Sequence, residues 1–205
     1  MIPEKFKLII ITPENSIPGE AGFINRLFTE GLELLHIRKP EYAIEETRNL
    51  LESISPAFYP KIVLHSHFKL LHEFHLKGAH LPEKIRREGS TVSINHIIST
   101  SFHNKEDILA EKTDFEYAFL SPIFPSISKP GYKSSIKIES LPELLKSSEK
   151  QIWFPVIALG GINSTTILQA KNMGFGGAAC IGYIWKSTNP VEQFKKLQKT
   201  LEREH

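Results

Sequence analysis

Apolar residues in this chain gather into two alternating kinds of run. One kind is short, continuous and rich in β-branched residues, and the other repeats at helical spacing. "KLIIIT" (7–12) has the buried-strand pattern. "AGFINRLFTEG" (21–31) follows, with Phe23, Leu27 and Phe28 at helical spacing and Gly31 at a C-terminal cap position. "LELLHIR" (32–38) predicts a second strand and "AIEETRNLLESI" (43–54) a second helix. The third pair is "KIVLHS" (61–66) with "FKLLHEFH" (68–75), and the fourth is "GAHLP" (78–82) with the basic, weakly helical "EKIRREG". "HIISTS" (96–101) and "KEDILAEK" (105–112) make the fifth. The sixth is "YAFLSPI" (117–123) with "ESLPELLKSS" (139–148), where Pro142 suits a first helical turn. "FPVIALGGI" (154–162) and "STTILQAKNMG" (164–174), with Ser164 as candidate N-cap, form the seventh. "GAACIGYIW" (177–185) precedes "NPVEQFKKLQKTLERE" (189–204), which Asn189 caps with Pro190 behind it.

Strict alternation of this kind argues a parallel sheet with crossover helices. Eight strand–helix pairs predict closure into a single (β/α)8 TIM barrel over residues 1–205, near the short limit for that fold. The competing arrangement is an open doubly wound sheet.

Bulk composition agrees with one domain. Of 205 residues, 40% are hydrophobic, enough for one sizeable core. Lys and Arg total 25 against 23 for Asp and Glu, so no basic footprint for nucleic acid or an anionic membrane is expected. The single Cys180 excludes an intrachain disulfide framework and reads as core. The apolar run after Met1 is too short for a signal peptide, and no stretch approaches a membrane span. A cytoplasmic protein is expected.

In a barrel the chemistry belongs at the C-terminal ends of the strands. Gly160 and Gly161 leave the seventh strand and lead into a helix. They are either a tight turn or a place where a phosphate reaches backbone N–H groups. Gly182 follows the eighth strand. After the sixth strand, "SPIFPSISKPGYK" (121–133) brings Ser126, Ser128 and Lys129 to the same face, as an anion-binding loop. His103, close behind Ser101, could carry a proton near neutral pH or cap the next helix. Arg38 ends the second strand and faces either an anion or a neighbouring glutamate. In "HSHF" (65–68), His65 and His67 would share a strand face, but zinc needs three or four ligands and no carboxylate or cysteine completes a set. No metal site is assigned. His72 and His75 lie on a helical pattern and read as surface or satisfied core.

The segments "LLHIRK", "GAHLPEK", "STSFHNKED", "FLSPIFPSISKPG", "PVIALGGINSTT" and "GFGGAACIGYIW" resemble, in order and spacing, the thiamine-phosphate synthase/TenI superfamily. The resemblance covers nearly the whole chain, and the phosphate loop followed by the glycine pair is its most specific part. It implies a TIM barrel that handles a thiazole phosphate. Synthases of that family join a pyrimidine diphosphate to a thiazole phosphate, with Mg²⁺ holding the leaving pyrophosphate through two aspartates. TenI-type members instead aromatise a thiazole carboxylate phosphate by moving a proton. Arg38 matches the arginine of the family's "QLREK", Ser101 and His103 its "SxH", Ser126, Ser128 and Lys129 its phosphate loop, and Gly160 and Gly161 its glycine pair.

Three positions depart from the pattern. Pro40 stands for the "QLREK" lysine, with Lys39 one place earlier. Ser66 and Ile85 stand where the metal-binding aspartates would be, with Glu83 the nearest acid in sequence. A hard cation needs such carboxylates beside phosphate oxygens. The resemblance therefore implies a metal-independent thiazole tautomerase without cofactor, with His103 as proton carrier and Ser101 and Arg38 beside it. The alternatives are a Mg²⁺-dependent thiamine-phosphate synthase that uses Glu83, and a non-catalytic barrel that senses a thiazole or thiamine phosphate. An apolar strip on a barrel helix could support a homodimer.

Overall fold

The structure, a computed structural model, describes residues 5–88, 96–125, 138–146 and 152–203. Eight parallel strands close on themselves in sequence order: β1 (Lys7–Ile11), β2 (Leu34–Ile37), β3 (Ile62–Leu64), β4 (Gly78–Leu81), β5 (Ile97–Phe102), β6 (Tyr117–Leu120), β7 (Val156–Leu159) and β8 (Gly177–Cys180). β8 returns to β1, with Cys180 paired to Ile10, so no edge is left open. The closed (β/α)8 barrel is the predicted arrangement, and the open sheet is excluded.

Continuous apolar strands are required because both faces are covered. Along β1 the alternation is direct. Ile9 and Ile11 pack inside the barrel with Leu34, Val63, Tyr117, Phe119 and Ile157, while Ile10 packs outward among the helices with Ile24, Leu27 and Leu197. The outer layer is α1 (Glu20–Thr29), α2 (Ile44–Glu52), α3 (Leu70–Glu73), α4 (Glu83–Arg87), α5 (Lys105–Ala110), α6 (Leu141–Lys146), α7 (Thr166–Met173), α8 (Gly182–Trp185) and α9 (Pro190–Glu202). Among the described residues no helix is long and apolar enough to cross a membrane.

Several local readings hold. Gly31 adopts the left-handed conformation (φ +95°) just beyond α1. Asn189 accepts a hydrogen bond from the Glu192 amide, with Pro190 first in α9. Pro142 lies in the first turn of α6. Cys180 is buried, and burial pushes its thiol upward.

Three readings are corrected. Strand eight stops at Cys180, and "GYIW" is the helix α8, because a fully buried apolar run has no period to separate strand from helix. Trp185 of α8 then donates its indole N–H to the Ile11 carbonyl at 2.7 Å, which ties that turn to β1. Thr165, not Ser164, holds the N-cap position of α7, and the capping side chain is that of Asn163, whose oxygen accepts from the amides of Thr165 and Thr166 at 2.8 and 3.0 Å. β3 ends at Leu64, so His65 and His67 do not share a strand face. His67 bends away at φ +55°, with Nε2 2.8 Å from the Tyr42 carbonyl.

Candidate active site at the barrel mouth

Between β2, β3 and β4 three imidazoles meet. His36 comes from inside β2, His65 from the residue after β3, and His80 from β4. His36 Nδ1 lies 2.9 Å from His65 Nε2, and His36 Nε2 lies 2.7 Å from the Tyr117 hydroxyl. Ser99 hydrogen-bonds Tyr117 in turn and sits 3.0 Å from His80 Nδ1, while His80 Nε2 lies 3.0 Å from the Ser101 hydroxyl. Barrel register explains the meeting: His80 pairs with Ser99, Ser99 pairs with Tyr117, and His36 pairs with Val63. One hydrogen-bonded chain thus runs from His65 through His36, Tyr117, Ser99 and His80 to Ser101.

Electrostatics keep this cluster neutral. Burial holds His36 and His65 well below the usual imidazole range, and neighbouring imidazoles add to the effect. Burial first, then the Arg38 guanidinium, takes His80 down to about 3. A neutral imidazole has one N–H and one lone pair, so each of these rings can donate through one nitrogen and accept through the other. Burial likewise raises the Tyr117 hydroxyl, which stays protonated as a relay group.

The predicted site residues divide into three groups. Ser101 belongs to the chain just described. Arg38 stands at the end of β2, close enough for its charge to bear on His65 and His80, and its guanidinium pairs with Glu14. His103, one residue beyond β5, lies outside the chain on the exposed rim. Its Nδ1 is 2.7 Å from the Ser121 carbonyl and its Nε2 is 3.2 Å from a Glu83 carboxylate oxygen. Both nitrogens thus face oxygen atoms.

The glycine pair has a packing reason of its own. Gly160 and Gly161 have φ of +98° and +64°, and a Cβ on Gly161 would fall 2.5 Å from the Pro125 carbonyl. They let the chain after β6 cross the β7 turn, where the Phe124 amide donates to the Gly160 carbonyl at 3.2 Å. Gly182 starts α8 on the same rim. Ser126, Ser128 and Lys129 lie outside the described residues.

Mg²⁺ does not fit the described residues at the positions the resemblance marks. Ser66 and Ile85 carry no charge. Glu83 is already held by Arg87, 2.8 Å away, and by His103. Lys39 does not replace the missing lysine either: it is buried against Glu20, away from solvent.

Sequence reading missed His36, Tyr117 and Ser99, and it left His80 without a role. The available signal was a histidine inside the apolar strand "LELLHIR". A polar residue in such a run is buried and needs a partner.

Comparisons with known proteins agree on one relationship. Residues 8–184 match the family model TMP-TENI, described as thiamine monophosphate synthase. A thiamine-phosphate synthase of Dictyoglomus turgidum is 25% identical over 96% of this chain and 91% of its own length. One of Pyrococcus abyssi is 25% identical over 97% and 96%. Among solved structures, a thiamine phosphate pyrophosphorylase from Bacteroides thetaiotaomicron is 36% identical with a TM-score of 0.82, covering 98% of this chain and 100% of that one.

Proposed function

The chain belongs to the thiamine monophosphate synthase/TenI family, and from that premise we propose that it binds a thiazole phosphate at the barrel mouth and rearranges it by proton transfer in thiamine biosynthesis. One observation carries the choice of reaction. The two positions that would anchor Mg²⁺ hold Ser66 and Ile85, while the mouth holds neutral imidazoles and hydroxyls joined in one hydrogen-bonded chain.

Aromatising a non-aromatic thiazole carboxylate phosphate takes a proton from a saturated ring carbon and returns one to a carbon outside the ring, as the double bond between them moves into the ring. A base and an acid must therefore stand within hydrogen-bond reach of the same ring. His103 on the rim is one carrier. Ser101, backed by His80, is the hydroxyl proposed to act with it. Arg38 supplies positive charge for the ligand carboxylate, and the backbone N–H groups at Gly160, Gly161 and Gly182 are proposed to face the phosphate. Ser126, Ser128 and Lys129 are proposed as further phosphate contacts. Direct proton transfer between such groups draws on no cofactor.

A second reading has its own support. The relatives above carry the names thiamine-phosphate synthase and thiamine phosphate pyrophosphorylase, which favours condensation of hydroxymethylpyrimidine diphosphate with thiazole phosphate. A leaving diphosphate brings about three negative charges and needs a cation beside it. Parallel assays on the purified protein separate the two. Ring absorbance with the non-aromatic thiazole carboxylate phosphate should rise faster with wild type than with His103→Ala. Mg²⁺-dependent pyrophosphate release from the two synthase substrates, without ring aromatisation, would instead establish the transferase.

A further inference from the structure

We propose that His36, His65 and His80 form a three-histidine site for a borderline transition-metal dication, Zn²⁺ foremost, in the throat of the barrel. The inference stands apart from the reaction assigned above, because it rests on the donor atoms alone.

One ring nitrogen from each histidine lies within 4.8 Å of the other two. A zinc ion bonds imidazole nitrogen at about 2.0–2.1 Å, which sets the spacing of tetrahedral donors at roughly 3.3 Å. The His36 Nδ1 and His65 Nε2 pair, now 2.9 Å apart, has to open by only a few tenths of an ångström. The hydrogen shared between them moves to the outer nitrogen of the ring that carries it as the ion enters, so both rings ligate as neutral imidazoles. One rotation is also needed. The His65 and His80 rings stack with centroids 4.1 Å apart and planes 19° from parallel, so their lone pairs do not yet converge. Turning the His65 ring about its Cβ–Cγ bond is a soft motion for histidine and leaves His80 on Ser99, while His80 Nε2 exchanges the Ser101 hydroxyl, 3.0 Å away, for the ion.

The surroundings match what such a site needs. Burial keeps the three rings neutral, which is the ligating form. The outward nitrogens already have fixed partners. His36 Nε2 faces the Tyr117 hydroxyl at 2.7 Å and His80 Nδ1 faces Ser99 at 3.0 Å. Partners of this kind orient ligating histidines and select their tautomer. Three neutral nitrogens leave the dication uncompensated, and Arg38 adds positive charge beside His65 and His80. The fourth position therefore calls for an anion such as hydroxide, carboxylate or phosphate. Imidazole donors favour Zn²⁺, Co²⁺, Ni²⁺ and Cu²⁺ and disfavour Mg²⁺, whose preferred donors are oxygens.

The test uses the untagged full chain, stripped with chelator and titrated with Co²⁺ and then Zn²⁺. One Co²⁺ per chain should bind with visible ligand-field bands, and Zn²⁺ should bleach them while Mg²⁺ does not. Tyr117→Phe should weaken Co²⁺ binding by about 10–100-fold, the usual effect of losing an outer partner. A His36→Gln/His80→Gln variant that keeps the wild-type circular dichroism should lose the bands altogether. Unchanged binding in that variant, or no binding by wild type, overturns the site. If the variant does not fold, X-ray absorption on wild type loaded with Zn²⁺ decides. Three imidazole scatterers support the proposal and an all-oxygen sphere refutes it. None of these readouts depends on either enzyme assay, so failure here leaves the proposed reaction standing.

Discussion

Lys39 and Glu20 show what a barrel demands of a buried ion. The Lys39 ammonium lies 2.8 Å from both carboxylate oxygens, and also donates to the Asn15 carbonyl at 3.0 Å. Only Oε2 receives an aligned hydrogen bond, which leaves Oε1 without one. Burial raises the Glu20 carboxyl in spite of the lysine beside it. Removing one partner therefore strands the other charge. Glu20→Ala is expected to cost about 3–5 kcal/mol in urea unfolding, whereas replacing both residues by apolar ones of similar volume should cost much less. A small loss in the single variant would mean that water reaches Lys39. Tyr117 poses the same question for a neutral group. In the metal-free protein, Tyr117→Phe leaves His36 Nε2 facing a hydrocarbon edge and should cost about 1–3 kcal/mol by the same measurement.

At the scale of elements, the β7–α7 turn carries the clearest constraint. Gly161 at φ +64° faces Pro125 and Phe124 atoms at 2.5 and 2.7 Å from an ideal Cβ. Gly161→Ala combines a left-handed conformation, about 1–2 kcal/mol for a residue with a Cβ, with a backbone clash. A loss above about 2 kcal/mol is expected in thermal unfolding. Gly22 is the counterpart, since it lies inside α1 with nothing within 4 Å of a built Cβ. Gly22→Ala should gain up to about 1 kcal/mol from helix propensity, and a loss there would mean that α1 packs more tightly than its geometry shows. The same two elements mark how far sequence could go. The strands were legible because β-branched runs such as "KLIII" must be buried on both faces. The limits of "GAACIGYIW" were not, because an apolar helix turn and an apolar strand look alike without a polar face. Asn163 and Ser164 are both good caps, and only the backbone path decides between them. Arg38, Ser101 and the glycines could be placed at strand ends by counting pairs. The meeting of His36, His65 and His80 depends on the register of β2, β3 and β4, which no single run encodes.

For the whole molecule, the histidine cluster sets a direction for acid stability. All three imidazoles have folded values below the unfolded 6.5, His80 at about 3. The unfolded chain thus binds protons that the fold refuses. Stability from these groups is complete above about pH 6.5 and is lost as pH falls towards the folded values. Each proton taken up on unfolding contributes about 1.4 kcal/mol per pH unit, so three together approach 4 kcal/mol per unit. Glu20 acts in the opposite sense. Its raised value means that the fold keeps a proton the unfolded chain releases above 4.5, and stability from it falls as pH rises through that range. One proton against three leaves the histidines in control between pH 6 and 5, where ordinary carboxylates stay ionised. Urea midpoints of the chelator-treated protein should therefore drop steeply from pH 7.5 to pH 5. His80→Asn should flatten that drop by about one proton's worth. A profile that is flat down to pH 5 in wild type would mean that the imidazoles titrate freely, and that the cluster is open to water rather than sealed beneath the barrel mouth.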